Sequence, residues 1–153
     1  MISIIPYDKK YQPDFKRLNL EWLDMYGLTE QYDLDILNEP DKTIIKPGGY
    51  IFFAMDEGTV VGTAGLAKIE KGVYELVKMS VEPALQGQGI GRKLLEHCLA
   101  EASKLGAKKI VLFSNSKLAT ALTMYEKYGF RHVPVTDSHL LTADVKMELL
   151  CTT

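Results

Sequence analysis

One stretch constrains this chain more than any other: Met79-Ser80-Val81-Glu82-Pro83-Ala84-Leu85-Gln86-Gly87-Gln88-Gly89-Ile90-Gly91-Arg92-Lys93. A strand ends at Glu82-Pro83, a loop with three glycines follows, and a strongly amphipathic helix begins. Such a loop leaves backbone N–H groups pointing outward at a helix N-terminus. The unsatisfied donors and the helix dipole make that place an anion site. Glycine lets a phosphate approach the backbone with no Cβ in the way. Arg92 and Lys93 put positive charge into the first helical turn, which disfavours the helix itself. A bound anion would offset that cost.

Two standard phosphate motifs do not fit. In a Walker A loop, a Lys followed by Ser or Thr closes the glycine run; here Arg92-Lys93 is followed by Leu94. A dinucleotide fold needs G-x-G-x-x-G after the first strand of a parallel βαβ unit. The glycines here are Gly87, Gly89 and Gly91, and the strand before them belongs to an antiparallel meander.

The rest of the chain places this loop. Ile2 to Ile5 reads as a strand ended by Pro6. Phe15, Leu18, Trp22 and Met25 recur at helical spacing, with Pro13 suited to an early position and Gly27 closing the helix. A shorter helix is expected from about Asp33 to Asn38. Tyr50–Met55, Thr59–Ile69 and Val73–Val81 read as strands joined by Asp56-Glu57-Gly58 and Lys71-Gly72. Gly62 and Gly65 inside the second of these point to a bulge or a close approach. Ile90, Leu94, Leu95, Cys98, Leu99, Ala102 and Leu105 share one helical face, closed by Gly106. Lys109–Ser114 is a buried strand. Leu118, Ala121, Leu122 and Tyr125 form a last helix, closed by Gly129 and capped by the Ser114-Asn115-Ser116 cluster. Phe130–Val135 and Val145–Leu150 are the final strands. The order β-α-α-β-β-β-α-β-α-β-β makes an α+β (mixed α/β) fold with one central sheet.

The 153 residues suit a single domain, 1–153. With 18 Lys+Arg against 20 Asp+Glu the net charge is −2, which argues against a nucleic-acid partner. Met1 to Pro6 lacks the basic start and long apolar run of a signal peptide, and no apolar stretch approaches a membrane span. The expectation is a cytoplasmic protein that does not engage membranes. Cys98 and Cys151 stand outside any zinc-type spacing. Cys98 reads as a core thiol, with a disulfide to Cys151 the lesser alternative.

Gln86-Gly87-Gln88-Gly89-Ile90-Gly91 fits the pattern [Q/R]-x-x-G-x-[G/A]. It resembles the pyrophosphate loop of the GCN5-related N-acetyltransferases (GNAT). Glu75 to Pro83 is similar to that family's fourth strand. Ala121-Leu122-Thr123-Met124-Tyr125-Glu126-Lys127-Tyr128-Gly129-Phe130 is similar to its A-x-x-x-Y-x-x-x-G-F segment. The resemblance covers nearly the whole chain and is specific from about Tyr74 to Phe130. It implies a mostly antiparallel sheet of about 6–7 strands, splayed between the fourth and fifth and flanked by about 4 helices. It also implies an acetyl-CoA-dependent N-acetyltransferase in which a primary amine attacks the thioester directly, without a metal.

By the same resemblance, the backbone of Gln86, Gly87, Gln88, Gly89, Ile90 and Gly91 holds the pyrophosphate, with Arg92 beside it. The backbone groups of Met79 and Val81 pair with the pantetheine arm, and one strand amide polarises the acetyl carbonyl. Tyr125 protonates the departing thiolate. Its place in the stripe of Leu118, Ala121 and Leu122 equally suits a plain core role. Glu75 is the candidate general base. In an unbulged strand it shares a face with Val77, Met79 and Val81, where burial would raise its pKa. A structural carboxylate, or a bulge turning it to solvent, is the alternative. Asn115 stands ten residues before Tyr125, where relatives more often have a CoA-contacting Asn seven before, so the contact is either kept by Asn115 or lost. The acceptor is a small-molecule or peptide amine, with Trp22, Tyr26, Tyr32, Tyr50, Asp137, His139 and Asp144 in the segments that shape its pocket. The chain is a monomer or a homodimer through its last strands. Two other classes stay open: a non-catalytic acyl-CoA sensor, and a phosphate- or nucleotide-binding module using the same helix N-terminus.

Overall fold

The computed structural model describes residues 1–151. Seven strands form one sheet: β1 (Ile2–Pro6), β2 (Tyr50–Asp56), β3 (Thr59–Glu70), β4 (Val73–Val81), β5 (Lys109–Ser114), β6 (Arg131–Val133) and β7 (Val145–Leu150). Their spatial order is β1-β2-β3-β4-β5-β7-β6. All neighbours are antiparallel except β4 and β5. The helices are α1 (Gln12–Met25), α2 (Gln31–Asn38), α3 (Ile90–Lys104) and α4 (Ala119–Lys127).

The sheet has an apolar layer on each side, which is why its middle strands read as unbroken hydrophobic runs. On β2, Ile51, Phe53 and Met55 pack with Phe15, Leu18 and Leu23 of α1 and Ile36 and Leu37 of α2. Phe52 and Ala54 face the other way, toward Leu94, Leu95 and Cys98 of α3. Cys98 is sealed in that second layer, where burial pushes its thiol up to about 12. Cys98 and Cys151 are both free thiols.

Gly62 shows why a strand interior carries a glycine. A Cβ there would stand 2.9 Å from Leu94 Cδ1 and 3.2 Å from the Ser80 carbonyl oxygen. The close approach seats α3 on the sheet. The register also slips beside it, because Ala54 opposes Gly62 whereas Met55 opposes Val60.

A second bulge decides the geometry of the site. Thr63 pairs with Ser80 and Gly65 with Val77, so Lys78 and Met79 together face one residue of β3. Lys78 takes the left-handed conformation this requires, with φ of 52°. Polar groups hold it there. Thr63 Oγ1 donates to the Lys78 carbonyl at 2.7 Å, and Asn19 Nδ2 donates to Thr63 Oγ1 at 3.0 Å. Lys78 Nζ is paired with the buried Asp33 of α2. Thr63→Val would strip the Lys78 carbonyl and the Asn19 amide of a buried partner, at a cost of about 1–3 kcal/mol. The expected result is a lower denaturant midpoint with an unchanged slope.

Extra residues in a strand bend it, and β4 leaves β5 just ahead of this bulge. The two strands pair only at Val73–Lys109, Tyr74–Ile110 and Glu75–Val111. From Leu76 to Val81 the β5-facing edge of β4 has no strand partner, a free length of roughly 20 Å. Past Val111, β5 stays with β7, Leu112 opposite Met147 and Ser114 opposite Val145. The sheet therefore opens as a V between β4 and β5.

The ends of elements depart slightly from the spacing-based reading. The sixth strand is only Arg131–Val133. Leu118 caps α4 rather than beginning it, and no side chain closes that helix end. Ser116 instead bonds Asp144 through its N–H and its hydroxyl, both at 2.7 Å. The Ser114-Asn115-Ser116 cluster thus ties one loop to another and does not cap α4. His97 of α3 is half-buried, with its ring 4.5 Å from that of Phe52.

Candidate active site

The V between β4 and β5 opens into a cavity of about 930 Å³. Its two halves are built from different parts of the chain. One half is lined by Met79 to Val81, Gln86 to Arg92, Ser114, Asn115, Ala121 and Tyr125. The other is lined from α1 and α2, by Glu75 and Lys78 of β4, and by Leu140, Thr142 and Ala143 of the β6–β7 loop. Glu75 and Tyr125, from opposite faces of the sheet, thus share one cavity.

The glycine loop supplies the first half. Gly87 and Gly89 have φ of 84° and 82°, a conformation that a side chain disfavours, and Gly89 caps α3. Among the described residues, no backbone N–H from Gly87 to Arg92 has a protein acceptor; the first helical bond is from Lys93 N to the Gly89 oxygen, at 3.1 Å. The first turn of α3 holds no acidic residue, and nothing lies within 4 Å of a Cβ built on Gly87. This is a row of aligned, uncovered donors with Arg92 beside it. Its chemistry fits a phosphate or pyrophosphate. Gln86 contributes one long side-chain bond, from Nε2 to the Val81 oxygen at 3.4 Å.

Tyr125 reaches the cavity from α4. It is 8% exposed, and its hydroxyl has one protein partner, the Met79 sulfur at 3.9 Å. A thioether is a weak acceptor, so the phenol proton is uncommitted. Burial, with a smaller contribution from the nearby Cys98, pushes its pKa up to about 12. At neutral pH the group is protonated, as a proton donor must be.

Glu75 corrects one expectation. The bulge at Lys78 inverts the alternation of side chains along β4. Glu75 shares the α1/α2 side with Val77, while Met79 and Val81 pack on the α3/α4 side. The bulge does not turn Glu75 to solvent: it is 4% exposed. Burial raises its pKa to about 7, even though Lys78 and Lys146 pull the other way. A carboxyl in that range can take and release a proton near neutral pH.

Asn115 lines the cavity, but its amide is already engaged. Nδ2 donates to the Thr142 carbonyl at 2.7 Å, and Oδ1 accepts from Lys117 N at 2.9 Å. Of the residues expected near an acceptor, Trp22, Tyr26 and Tyr32 line the cavity, and His139 stacks on Tyr32 at 5.3 Å. Tyr50 packs elsewhere, its ring 6.5 Å from Phe52, and Asp144 is spent on Ser116. Among the described residues no three His, Cys, Asp or Glu side chains gather as a metal-binding group.

Sequence spacing gave no sign of three features. These are the Lys78–Asp33 pair, the Thr63–Asn19 link, and the grip of Glu30 on the β6–β7 loop. Glu30 accepts from Leu141 N at 2.9 Å, Thr142 N at 2.8 Å and Thr142 Oγ1 at 2.6 Å. Burial opposes its charge, but these bonds outweigh that and hold its carboxyl below its ordinary value. Each link joins residues that are distant in sequence, and one buried polar residue gives no local pattern that names its partner.

A splayed sheet, an uncovered helix N-terminus at one arm of the V, and a buried carboxyl and phenol that line one cavity are the features the comparisons place in a family. The chain belongs to the acetyltransferase (GNAT) family, whose model matches residues 14–130. It is 32% identical over 115 residues to the uncharacterized N-acetyltransferase YjgM of Escherichia coli K12, covering 71% of this chain and 69% of that protein. It is 34% identical over 108 residues to an IAA acetyltransferase of Azospirillum brasilense, covering 70% and 67%. An acetyltransferase of the GNAT family from Staphylococcus aureus Mu50 has the same fold, with a TM-score of 0.86 at 22% identity, covering 97% of this chain and 98% of that one. The PaiA N-acetyltransferase of Thermoplasma acidophilum, solved in complex with coenzyme A, gives 0.78 at 18% identity, covering 99% of each chain.

Proposed function

We propose that this chain transfers an acetyl group from acetyl-CoA to a primary amine within one ternary complex, with Glu75 as base and Tyr125 as acid. The observation that carries this reading is a single cavity holding the uncovered N–H groups of Gly87 to Arg92, the unpaired edge of β4, and both titratable side chains.

The roles follow from position. The amides from Gly87 to Gly91, with Gln86, Gln88 and Ile90 shaping the loop, hold the pyrophosphate, and Arg92 adds a cation. The free edge at Met79 and Val81 takes the pantetheine arm as an added strand and turns one N–H toward the thioester oxygen. Glu75, directly or through a water, takes a proton from the ammonium. The amine nitrogen then bonds to the carbonyl carbon, the C–S bond breaks, and Tyr125 gives its proton to the sulfur. Holding amine and thioester together supplies much of the acceleration. Asn115, already bonded to Thr142, acts by fixing the β6–β7 loop beside the cofactor, with one amide hydrogen left for contact. No helix among the described residues is long and apolar enough to cross a membrane.

Calorimetric titration tests the cofactor half. Acetyl-CoA is expected to bind at micromolar concentration and ADP more weakly, since ADP lacks the arm that would use β4. Gly89→Val sets a branched side chain at φ of 82°, with its Cβ 3.3 Å from Arg92 Nη2. It should weaken acetyl-CoA by at least tenfold. Equal affinity for ADP and acetyl-CoA would favour a plain phosphate-binding module.

A further inference from the structure

The acid groups around the acceptor half of the cavity are nearly all spent on the protein itself. Asp33 gives one oxygen to Lys78 and the other to Glu30 N at 2.9 Å. Glu30 gives both oxygens to Leu141 and Thr142. Asp144 gives both to Ser116. Of the acidic side chains that line this half among the described residues, only Glu75 has no hydrogen-bonding partner. A pocket with one uncommitted carboxylate can neutralise one ammonium.

Of the nearby lysines, one is paired with an acid and two meet only neutral oxygens. Lys78 is held by Asp33. Lys146 Nζ bonds the Thr136 carbonyl at 3.3 Å and its hydroxyl at 3.1 Å. Lys117 is exposed at the rim, with Nζ 3.4 Å from the Tyr26 carbonyl. No arginine lines this half, so it lacks the fork that clamps a carboxylate. The remaining wall is apolar and aromatic, from Trp22, Leu23, Leu28, Tyr32, Ile36 and Val77.

We propose that the acceptor is a small primary monoamine with an apolar body, its ammonium seated on Glu75, carrying neither a second cationic group nor a carboxylate. This rests on the acetyl-transfer reading above. A second ammonium would lie dehydrated against Leu28, Ile36 or Val77 with no acid to meet it. A carboxylate beside the reacting amine would sit close to Glu75, with no arginine in this half to clamp it and Lys117 out at the exposed rim. An apolar body instead replaces water on side chains that already line the cavity, and an aromatic one also meets the ring of Tyr32.

The test uses the wild-type chain and four acceptors: 2-phenylethylamine, 1,5-diaminopentane, L-phenylalanine and a tetrapeptide with a free N-terminal alanine. Thiol release from acetyl-CoA gives kcat/KM for each. Binding of the same amines to the CoA-loaded protein is measured by calorimetry. The expected result is at least a tenfold advantage of 2-phenylethylamine over each of the others, with Glu75→Gln weakening its binding at least tenfold. Equal or better turnover of the diamine, the amino acid or the peptide overturns the proposal. So does 2-phenylethylamine binding that is indifferent to Glu75→Gln. If CoA binds and no amine is turned over, the acceptor proposal falls alone. If CoA itself fails to bind, the acetyl-transfer reading falls and takes this one with it.

Discussion

Tyr125→Phe is expected to lower kcat by about 10²-fold or more while leaving the KM for acetyl-CoA within about twofold. The change removes one oxygen whose only protein partner is the Met79 sulfur. The ring keeps its contact with Phe130, 5.8 Å away between centroids. Folding stability should therefore stay within about 1 kcal/mol of the wild type. The two readings of this residue separate cleanly on that contrast. A core tyrosine would lose little of either quantity. A proton donor to the departing sulfur loses turnover alone, because the thiolate must then leave without its proton. Steady-state kinetics and a thermal melt on the same preparation decide between them.

Glu75→Gln is expected to lower kcat/KM by about 10²-fold or more and, at pH 8, to make the fold more stable. The two effects have one cause. Burial raises the carboxyl from 4.5 to about 7 in the folded chain. Between those values the native state holds a proton that the unfolded state has released. Stability from this group is therefore fully present below about 4.5 and is lost as the pH rises to about 7. The gap corresponds to about 3 kcal/mol at most. The glutamine variant, which has nothing to ionise, should be about 1–3 kcal/mol more stable than the wild type at pH 8. Near pH 4 the two should be about equal. The activity ratio of wild type to variant should rise between pH 6 and 8 with a midpoint near 7, and taking the ratio cancels the titration of the amine. A flat ratio would remove Glu75 from the proton transfer, and a loss of stability at pH 8 would mean its charge is compensated in the fold.

The cofactor half of the site was readable because its determinants are local. Three glycines, the strand before them and the amphipathic helix after them lie within fifteen consecutive residues, and backbone conformation and helix dipole act over that distance. The unbroken apolar run of β2 and the 3.6-residue stripe of α3 gave the element order for the same reason. The resemblance of its segment singled out Tyr125, which does line the cavity, and spacing alone could not tell a proton donor from a core ring.

The acceptor half was legible only in outline. The alternation rule put Glu75 on the same face as Met79 and Val81, and one extra residue at Lys78 reversed that relation. Nothing near Lys78 in the sequence announces the bulge. It is held by Thr63, Asn19 and Asp33, which come from β3, α1 and α2. Likewise, the count of acids in a sequence says nothing of which remain free. Asp33, Glu30 and Asp144 look as available as Glu75 until the fold assigns them partners. The sequence by itself determined the element order and the glycine-rich loop at a helix N-terminus, since both rest on short-range conformational preference, and the resemblance of its motifs to the GNAT family gave the class of reaction. The tertiary structure alone decided which face Glu75 occupies, at which residue β4 parts from β5, and which of the nearby carboxylates keeps no hydrogen-bonding partner. Those depend on pairings between distant segments, and only burial and hydrogen bonding in the folded chain select them.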